Sequence, residues 1–278
     1  MSNLIITYYK ESINNSLLFK KFLISFVISL RELANYNDHI ILISYSVLSQ
    51  VMIKFLKEYK IEIKVLSASE RIINNRRFID TEEFTNKMNY ENIILCDIDV
   101  WFQKSINDLF LIIDKSKGFV YTPDIHIPFQ RFNNLLFKDR LDNKEKNEIL
   151  IKKIFKLIRK YGTILNVGIL GFKKENFKFK IEKYKEYFIK RNHIDEYGLD
   201  TFIMIYLFDF NKDIIISPIY NFLAKQKAIL KMDLWFTTDN EEIAIIHMAG
   251  GSRIRNPEYF FWNNYPVLFN KYVKNLIS

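Results

Sequence analysis

Apolar and polar positions alternate along the chain in segments that predict strands and helices in turn. Short apolar runs, typical of buried strands, are separated by longer segments with apolar residues at helical spacing. This βαβ succession favours a largely parallel sheet flanked by helices. The predicted strands are 4–9, 39–46, 61–66, 92–97, 118–121, 163–172, 214–217 and 243–247, and the predicted helices are 17–33, 48–59, 81–89, 144–161, 179–190 and 200–208.

Composition indicates one sizeable folded domain. Hydrophobic residues make up 49% of the 278 positions, with 25 Phe and 16 Tyr, which is enough apolar material for a large core. Only 7 Gly and 5 Pro are present, so flexible linkers and repeats are not expected. We therefore predict one α/β domain over 1–253 with a basic helical insertion at about 138–161. A small basic and aromatic extension, helical or irregular, would follow over 254–278.

Several classes of protein are excluded by what the sequence lacks. A single cysteine, Cys96, excludes a disulfide framework or a zinc–cysteine site within one chain. All seven glycines lie at position 118 or later, so the first βα turn has neither a dinucleotide-binding fingerprint nor a P-loop. The segment Met1–Thr7 lacks a basic leader, and no apolar run reaches the ~18 residues that span a bilayer. These features predict a cytoplasmic protein.

The charge balance leaves two interpretations open. The net charge is +9, from 41 basic and 32 acidic residues, with local density around 144–160. A basic surface favours nucleic acid, anionic lipid or phosphorylated ligands. The same excess also arises in any lysine-rich sequence without a polyanionic partner. A non-enzymatic protein that binds nucleic acid or membranes is therefore one hypothesis for this chain.

An Asp-x-Asp pair follows one of the predicted buried strands. The apolar run 93–95 leads into Cys96, Asp97, Ile98 and Asp99. Side chains alternate along a strand, so both carboxylates would lie on one side of it. Two such acids repel each other, and a divalent cation relieves the repulsion. Ligands of open α/β sheets bind at this end of the strands, so the pair predicts a metal site. Two solvated loop acids are the alternative.

Four segments occur in an order that resembles a known enzyme family. Residues 96–101, 165–170, 199–202 and 246–253 together resemble GT-A glycosyltransferases, most closely glycosyltransferase family 8. The resemblance implies a GT-A fold with a mostly parallel sheet, and a short helix within 100–110. It also implies transfer of a hexose from a nucleotide-diphosphate sugar, such as a UDP-sugar. The acceptor would be a hydroxyl of a glycan, for example in lipopolysaccharide biosynthesis, or of a lipid-linked glycan.

The same resemblance implies a manganese site beneath the diphosphate. It assigns Asp97, Asp99 and His247 as metal ligands, with Asp97 also touching the ribose. An imidazole ligand favours Mn²⁺ over Mg²⁺, although either ion would suit the two carboxylates. The pattern His-x-x-Gly-x-x-Arg places Gly250 and Arg253 at the diphosphate, where the family has lysine instead of arginine. A buried structural histidine is the alternative for His247.

Residues for the donor sugar are implied in the two middle segments. By resemblance, Asn166 and Gly168 line the sugar pocket, and an amide offers both donors and acceptors to hydroxyls. Asp200 would contact donor-sugar hydroxyls, and Thr201 stands where the family has glutamine near the reacting carbon. Because that glutamine is missing, the resemblance does not predict retention or inversion. A capped strand end for Asn166 and a helix N-cap for Asp200 are the alternatives.

Two further contacts of the donor and one with a membrane are predicted. Tyr8, in the first strand, would stack on the base, and Arg76 would reach the diphosphate; a buried tyrosine and a solvated arginine are the alternatives. The aromatic segment Tyr259–Trp262 lies among basic residues and would suit peripheral contact with the inner, anionic face of a membrane. No contact with nucleic acid is expected if the enzyme hypothesis holds.

The Asp-x-Asp-x-Val string also fits phosphatases of the haloacid dehalogenase type. In that alternative Asp97 is a nucleophile and Asp99 an acid or base. Those enzymes normally carry the motif on the first strand of the core, whereas three predicted strands precede it here. The phosphatase hypothesis predicts magnesium-dependent activity that survives the loss of His247.

Overall fold

The architecture is mixed α/β, with a central, mostly parallel sheet flanked by helices, as the alternating pattern predicts. A computed structural model describes residues 2–11, 15–67, 75–86, 89–124, 144–190, 198–250, 256–273 and 276–277. The strands are β1 (Asn3–Tyr9), β2 (His39–Ser44), β3 (Ile61–Val65), β4 (Asn92–Cys96), β5 (Val100–Phe102), β6 (Val120–Asp124), β7 (Ile164–Lys173), β8 (Ile214–Ile215), β9 (Phe222–Leu223), β10 (Ala228–Lys231), β11 (Leu234–Thr237) and β12 (Ile245–His247). The helices are α1 (Ser16–Ile28), α2 (Gln50–Glu58), α3 (Arg77–Asn86), α4 (Asn107–Lys115), α5 (Lys144–Tyr161), α6 (Lys174–Lys190), α7 (Leu199–Leu207), α8 (Phe261–Asn264) and α9 (Pro266–Val273).

The chain forms two compact units. The β1 unit contains 3–67, 94–111 and 217–278, and the β7 unit contains 1–2, 68–93 and 112–216. Both units are assembled from segments that are distant in sequence. The predicted boundary between a domain over 1–253 and an extension over 254–278 stays a prediction.

In the β1 unit, three parallel strands have the consecutive order that βαβ connections produce. β1 pairs with β2 from Leu4 opposite His39 to Tyr9 opposite Ser44, and β2 pairs with β3 in the same direction. The first residues of β1 after Asn3 are wholly buried, as are most residues in the second half of α1. Continuous apolar burial is expected when helices cover a parallel sheet.

In the β7 unit, the long strand β7 runs antiparallel to β6, which is parallel to β8. The register of β6 against β7 shifts between Tyr121 and Thr122, which marks a β-bulge. Gly171 of β7 lies against Ile113 of α4, and a Cβ at Gly171 would come within 2.5 Å of the Ile113 Cδ1 atom. This glycine therefore allows close packing of helix on strand.

The helix predicted within 100–110 is wrong for its first part. Val100–Phe102 forms β5, which pairs antiparallel with β12 so that Trp101 lies opposite Ile246. Helix α4 begins only at Asn107. These three apolar residues pair with a strand that is distant in sequence, and this pairing outweighs any local preference for helix.

A hairpin that the sequence pattern does not reveal joins β10 to β11. Lys231 pairs with Leu234, so Met232 and Asp233 form a two-residue turn. Both turn residues have positive φ, 47° and 65°, as a type I′ turn requires. Glycine and asparagine adopt this conformation most easily, whereas methionine has no local hydrogen bond to offset the strain. Met232 is also 92% exposed, so its side chain contributes little packing.

Replacing Met232 with asparagine and Asp233 with glycine should stabilise the protein by about 1 kcal/mol, because Asn-Gly is the preferred type I′ sequence. The midpoint of urea unfolding would report the change. Met232→Gln serves as the control, since glutamine is polar but has no preference for positive φ. A double variant that unfolds at the same or lower urea concentration would contradict the strained turn.

The C-terminal segment is helical and packs inward. The 3₁₀ turn Pro257–Tyr259 leads into α8 and α9. Tyr259 and Phe261 are buried, and the Trp262 ring lies 5.8 Å from that of Phe22 in α1. Two of the four aromatic side chains predicted to touch a membrane are therefore part of the core of the β1 unit.

Candidate functional site

Asp97, Asp99 and His247 meet in the β1 unit. One ligand atom from each lies within 4.8 Å of the other two. The His247 Nε2 atom is 3.6 Å from Asp97 Oδ2 and 3.4 Å from Asp99 Oδ1. Asp99 and His247 are buried, whereas the Asp97 side chain is 26% exposed. The cluster is thus closed on two sides and reachable from solvent beside Asp97.

Strand pairing explains why these residues meet. β4 ends at Cys96, and a turn at Ile98 and Asp99 leads directly into β5. His247, the last residue of β12, pairs with Val100, and the Met248 amide donates to the Asp99 carbonyl oxygen at 2.9 Å. The ladder therefore fixes the acids beside the imidazole. The apolar run 243–246 anchors β12 because it is wholly buried.

A residue that sequence reasoning missed orients the histidine. The His247 Nδ1 atom lies 2.8 Å from the Asn221 side-chain oxygen, and both residues are buried. An amide oxygen only accepts, so this contact fits a proton on Nδ1. Nε2 is then the unprotonated nitrogen, and it is the atom that faces the two carboxylates. Metal-binding histidines commonly have their second nitrogen held in this way.

The donor set fits a divalent cation. Two carboxylates supply hard oxygen ligands, and the imidazole adds the nitrogen that Mn²⁺ accepts more readily than Mg²⁺ does. The two carboxylates, which have ligand atoms within 4.8 Å of each other, also repel, and a cation between them relieves that repulsion. The three side chains and the oriented Nε2 atom are therefore compatible with the predicted metal.

Replacing Asn221 with alanine should weaken Mn²⁺ binding by about 10- to 100-fold, the usual effect of losing such an outer-shell partner. The cause would be a His247 ring that is no longer held in one tautomer and orientation. Titration calorimetry with Mn²⁺ alone measures this directly. Asn211→Ala, at an exposed turn, is the matched control. Equal Mn²⁺ affinity in wild type and Asn221→Ala would contradict the role of Asn221.

A second polar cluster lies in the β7 unit, at the start of α7. Arg77, which is buried, donates to Asp200 Oδ2 at 3.0 Å and to the Val167 carbonyl oxygen at 2.9 Å. The other Asp200 oxygen accepts from the Thr201 amide at 2.7 Å. The Asp200 amide donates to the Asn75 side chain at 3.2 Å. Asp200 is thus a buried partner of Arg77, while Gly198 occupies the N-cap position of the helix.

Burial raises the pKa of Asp200 above its ordinary value of 3.8, and the Arg77 guanidinium and the Thr201 contacts oppose this shift. A nearby cation favours the charged form of a buried acid, whereas burial disfavours it. Each member of this buried ion pair therefore stabilises the charge of the other.

The other predicted donor-sugar and base residues have varied surroundings. Asn166 accepts from the Gly168 amide at 2.7 Å, so this asparagine stabilises the bulge of β7. Arg76 binds both oxygens of Asp80 at 3.0 Å on α3. Tyr8 is only 5% exposed, which leaves little surface for stacking on a base. The roles of these residues toward a donor stay predictions.

The predicted diphosphate contacts beyond β12 are only partly described. Gly250 is exposed and has a φ of 56°, a conformation that favours glycine. Arg253 lies outside the described residues. The predicted contact between Arg253 and a diphosphate therefore rests on the sequence resemblance.

The mostly parallel sheet, with an Asp–Asp–His cluster formed where β4 and β12 end, is typical of a known class of fold. The chain has the GT-A fold, as the sequence resemblance implies. A comparison of the sequence with known families and with curated proteins finds no match. The relationship is therefore visible in the structure and in short motifs only.

Three solved structures show what this fold is similar to. The galactosyltransferase LgtC, in complex with donor and acceptor sugar analogues, has a TM-score of 0.61 at 12% identity; the match covers 96% of this chain and 95% of that chain. An active-site mutant of LgtC has a TM-score of 0.55 at 13% identity, covering 92% and 94%. The bifunctional glycosyltransferase WbbM, in its apo form, has a TM-score of 0.55 at 12% identity. This chain is covered over 97% but spans only 51% of WbbM.

None of the described helices is both long and apolar enough to cross a lipid bilayer.

Proposed function

We propose that this protein is a metal-dependent glycosyltransferase. It would move a hexose from a nucleotide-diphosphate sugar, most simply a UDP-sugar, to a hydroxyl of a glycan or lipid-linked acceptor. The observation that carries the proposal is the cluster of Asp97, Asp99 and His247 at the strand ends of a GT-A fold. The sugar analogues bound to LgtC support a sugar donor and acceptor for this chain as well.

The metal-binding residues have distinct tasks in this proposal. Asp97, Asp99 and His247 would hold the cation, and Asn221 would keep the His247 Nε2 atom directed toward it. A bound Mn²⁺ supplies Lewis-acid stabilisation of the departing diphosphate. Burial of Asp99 and His247 keeps the donor set rigid, while exposed Asp97 leaves a side open for the nucleotide.

The residues proposed to bind the donor sugar follow from the sequence resemblance. Asn166 and Asp200 would offer hydrogen-bonding groups to its hydroxyls, and Thr201 would lie near the reacting carbon. Thr201 has a hydroxyl but lacks the length of glutamine, so we make no proposal on stereochemistry. Arg77 is a stronger candidate than Arg76 for a role near the sugar, because it holds Asp200. Arg76, which precedes α3, is engaged with Asp80 of that helix.

A screen of nucleotide-sugar hydrolysis with and without Mn²⁺ tests the proposed function. It needs no acceptor and identifies the donor directly. We expect release of free nucleotide diphosphate from one donor, dependent on Mn²⁺. His247→Asn should reduce this release at least tenfold, because one of three metal ligands is lost. Absence of hydrolysis and of any ligand-induced stabilisation across all donors would contradict the proposal.

The phosphatase alternative predicts the opposite response to the same variant. Hydrolysis of a phosphate monoester with Mg²⁺ that is unchanged in His247→Asn would favour it. The close approach of His247 to both aspartates has no explanation in that alternative, since its chemistry needs only Asp97 and Asp99.

A further inference from the structure

The second half of helix α5 presents an outward surface of one charge. Between 149 and 161 the sequence contains five basic residues and no acidic residue. Phe155 lies in the middle of this surface and is 53% exposed. Spacings of three and four residues put side chains on the same helix face. The exposed cations of this surface, called the α5 face below, are Lys152, Lys156, Arg159 and Lys160.

The α5 face is held rigidly on the β7 unit. The opposite side of the helix is buried through Leu150, Ile154 and Leu157. Lys153 also ties the helix down, because its ammonium donates to the Tyr206 carbonyl oxygen at 2.5 Å and to that of Phe208 at 2.8 Å. The α5 face is therefore an ordered surface, and a partner that binds it need not order the helix first.

The cations of the α5 face are not neutralised within the described part of the chain. None of the four exposed cations forms an ion pair there. Lys156 lies over the Phe210 ring at 4.2 Å and Lys160 over the Tyr161 ring at 5.0 Å, contacts that keep their positive charge. Glu145 and Glu148 lie at the other end of the helix. The face therefore keeps its positive charge and is complementary to an anionic surface.

We propose that the α5 face docks this protein on an anionic lipid bilayer. Clustered Lys and Arg side chains on a helix bind the negative surface of such membranes. Phe155 adds an exposed apolar ring to these cations, and such a ring inserts between lipid headgroups. This inference stands apart from the proposed enzymatic function, since it uses none of the residues assigned to metal or sugar.

Flotation with vesicles tests the docking surface. The full chain is mixed with phosphatidylcholine vesicles containing phosphatidylserine, or with phosphatidylcholine alone, at about 0.15 M salt. We expect binding to the anionic vesicles only. Lys152→Gln with Lys156→Gln should weaken binding by about 30-fold, at roughly fivefold per cation. Glutamine keeps the helix propensity of lysine, so α5 should stay folded.

Two controls distinguish a specific role of the α5 face from an effect of the protein's net positive charge. Lys54→Gln with Lys57→Gln removes the same charge from exposed positions of α2 and should change vesicle binding less than about threefold. Nucleotide-sugar hydrolysis should be unchanged in both double variants, so failure of docking and failure of the enzymatic proposal are distinguishable. Phe155→Ala should lower vesicle binding further, because the inserted ring is lost.

Three results would overturn the docking proposal. The first is no binding to anionic vesicles. The second is equal loss of binding in the α5 and α2 double variants, which would show that net charge alone matters. The third is binding of a single-stranded nucleic acid that is tighter than binding of anionic vesicles and depends on Lys152 and Lys156. That third result would assign the face to a polyanion.

Discussion

Replacing Asp99 with alanine should abolish the thermal stabilisation that UDP and Mn²⁺ together give the wild-type protein. A ligand at 100 times its Kd stabilises a folded protein by about 2.7 kcal/mol, which corresponds to roughly 5 °C or more for a chain of this size. Asp99 is the buried carboxylate of the cluster, 3.4 Å from the His247 nitrogen. The variant loses one of the three candidate metal ligands, and only Asp97 and His247 remain in the cluster.

The unliganded Asp99→Ala protein should unfold at about the same temperature as the wild type. Removing one of two neighbouring acids relieves their repulsion, which offsets the lost side-chain contacts. Asp239→Ala, an exposed acid in the same unit, is the control and should keep the full ligand-induced shift. A full shift in Asp99→Ala would show that the nucleotide binds without this cluster, and the metal-dependent proposal would fail.

Replacing Arg77 with methionine should destabilise the protein by about 3–5 kcal/mol, the usual cost of removing one partner of a buried ion pair. Asp200 would be left buried without its cation, and the Val167 carbonyl oxygen would lose its donor. The effect is measured as the shift in urea unfolding at neutral pH. Lys173→Met is the control, because both partners of its pair with Asp114 are partly exposed and its loss should cost under about 1 kcal/mol.

The loss of folding stability in Arg77→Met should become larger as pH rises. Burial already raises the pKa of Asp200 above 3.8, and losing Arg77 raises it further. Between 3.8 and that raised value the folded state keeps a proton that the unfolded state releases, so stability falls as pH rises. The deficit should therefore be smallest near pH 4 and level off above the raised pKa. A deficit that grows as pH falls would show that Asp200 is not the group left unpaired.

The elements with strong periodicity could be predicted from the sequence, because their apolar faces are buried in the expected way. Helix α5 begins and ends where its pattern predicts, at Lys144 and Tyr161. Short elements could not be predicted. β5 is a strand only because β12 lies beside it, and the β10–β11 turn uses Met232 and Asp233 where a turn signal would be glycine or asparagine.

The candidate site was predictable where a motif carries its own local signal. Asp97 and Asp99 follow a buried strand, and His247 is the last residue of another, so strand ends alone mark them. Asn221 precedes His247 by 26 residues and has no local pattern around it, so only the folded chain reveals their contact. The same holds for Arg77 and Asp200, which are 123 residues apart.

Helix α7 is bound by a cationic side chain at each of its ends. Arg77 holds its first turn through Asp200, and Lys153 of α5 holds the carbonyl oxygens of Tyr206 and Phe208 at its last turn. A movement of the helix along its axis would disturb charged contacts at both of its ends. The position of Asp200 along the helix axis therefore depends in part on Lys153, at the opposite end of α7. Lys153 belongs to α5, the helix that carries the α5 face.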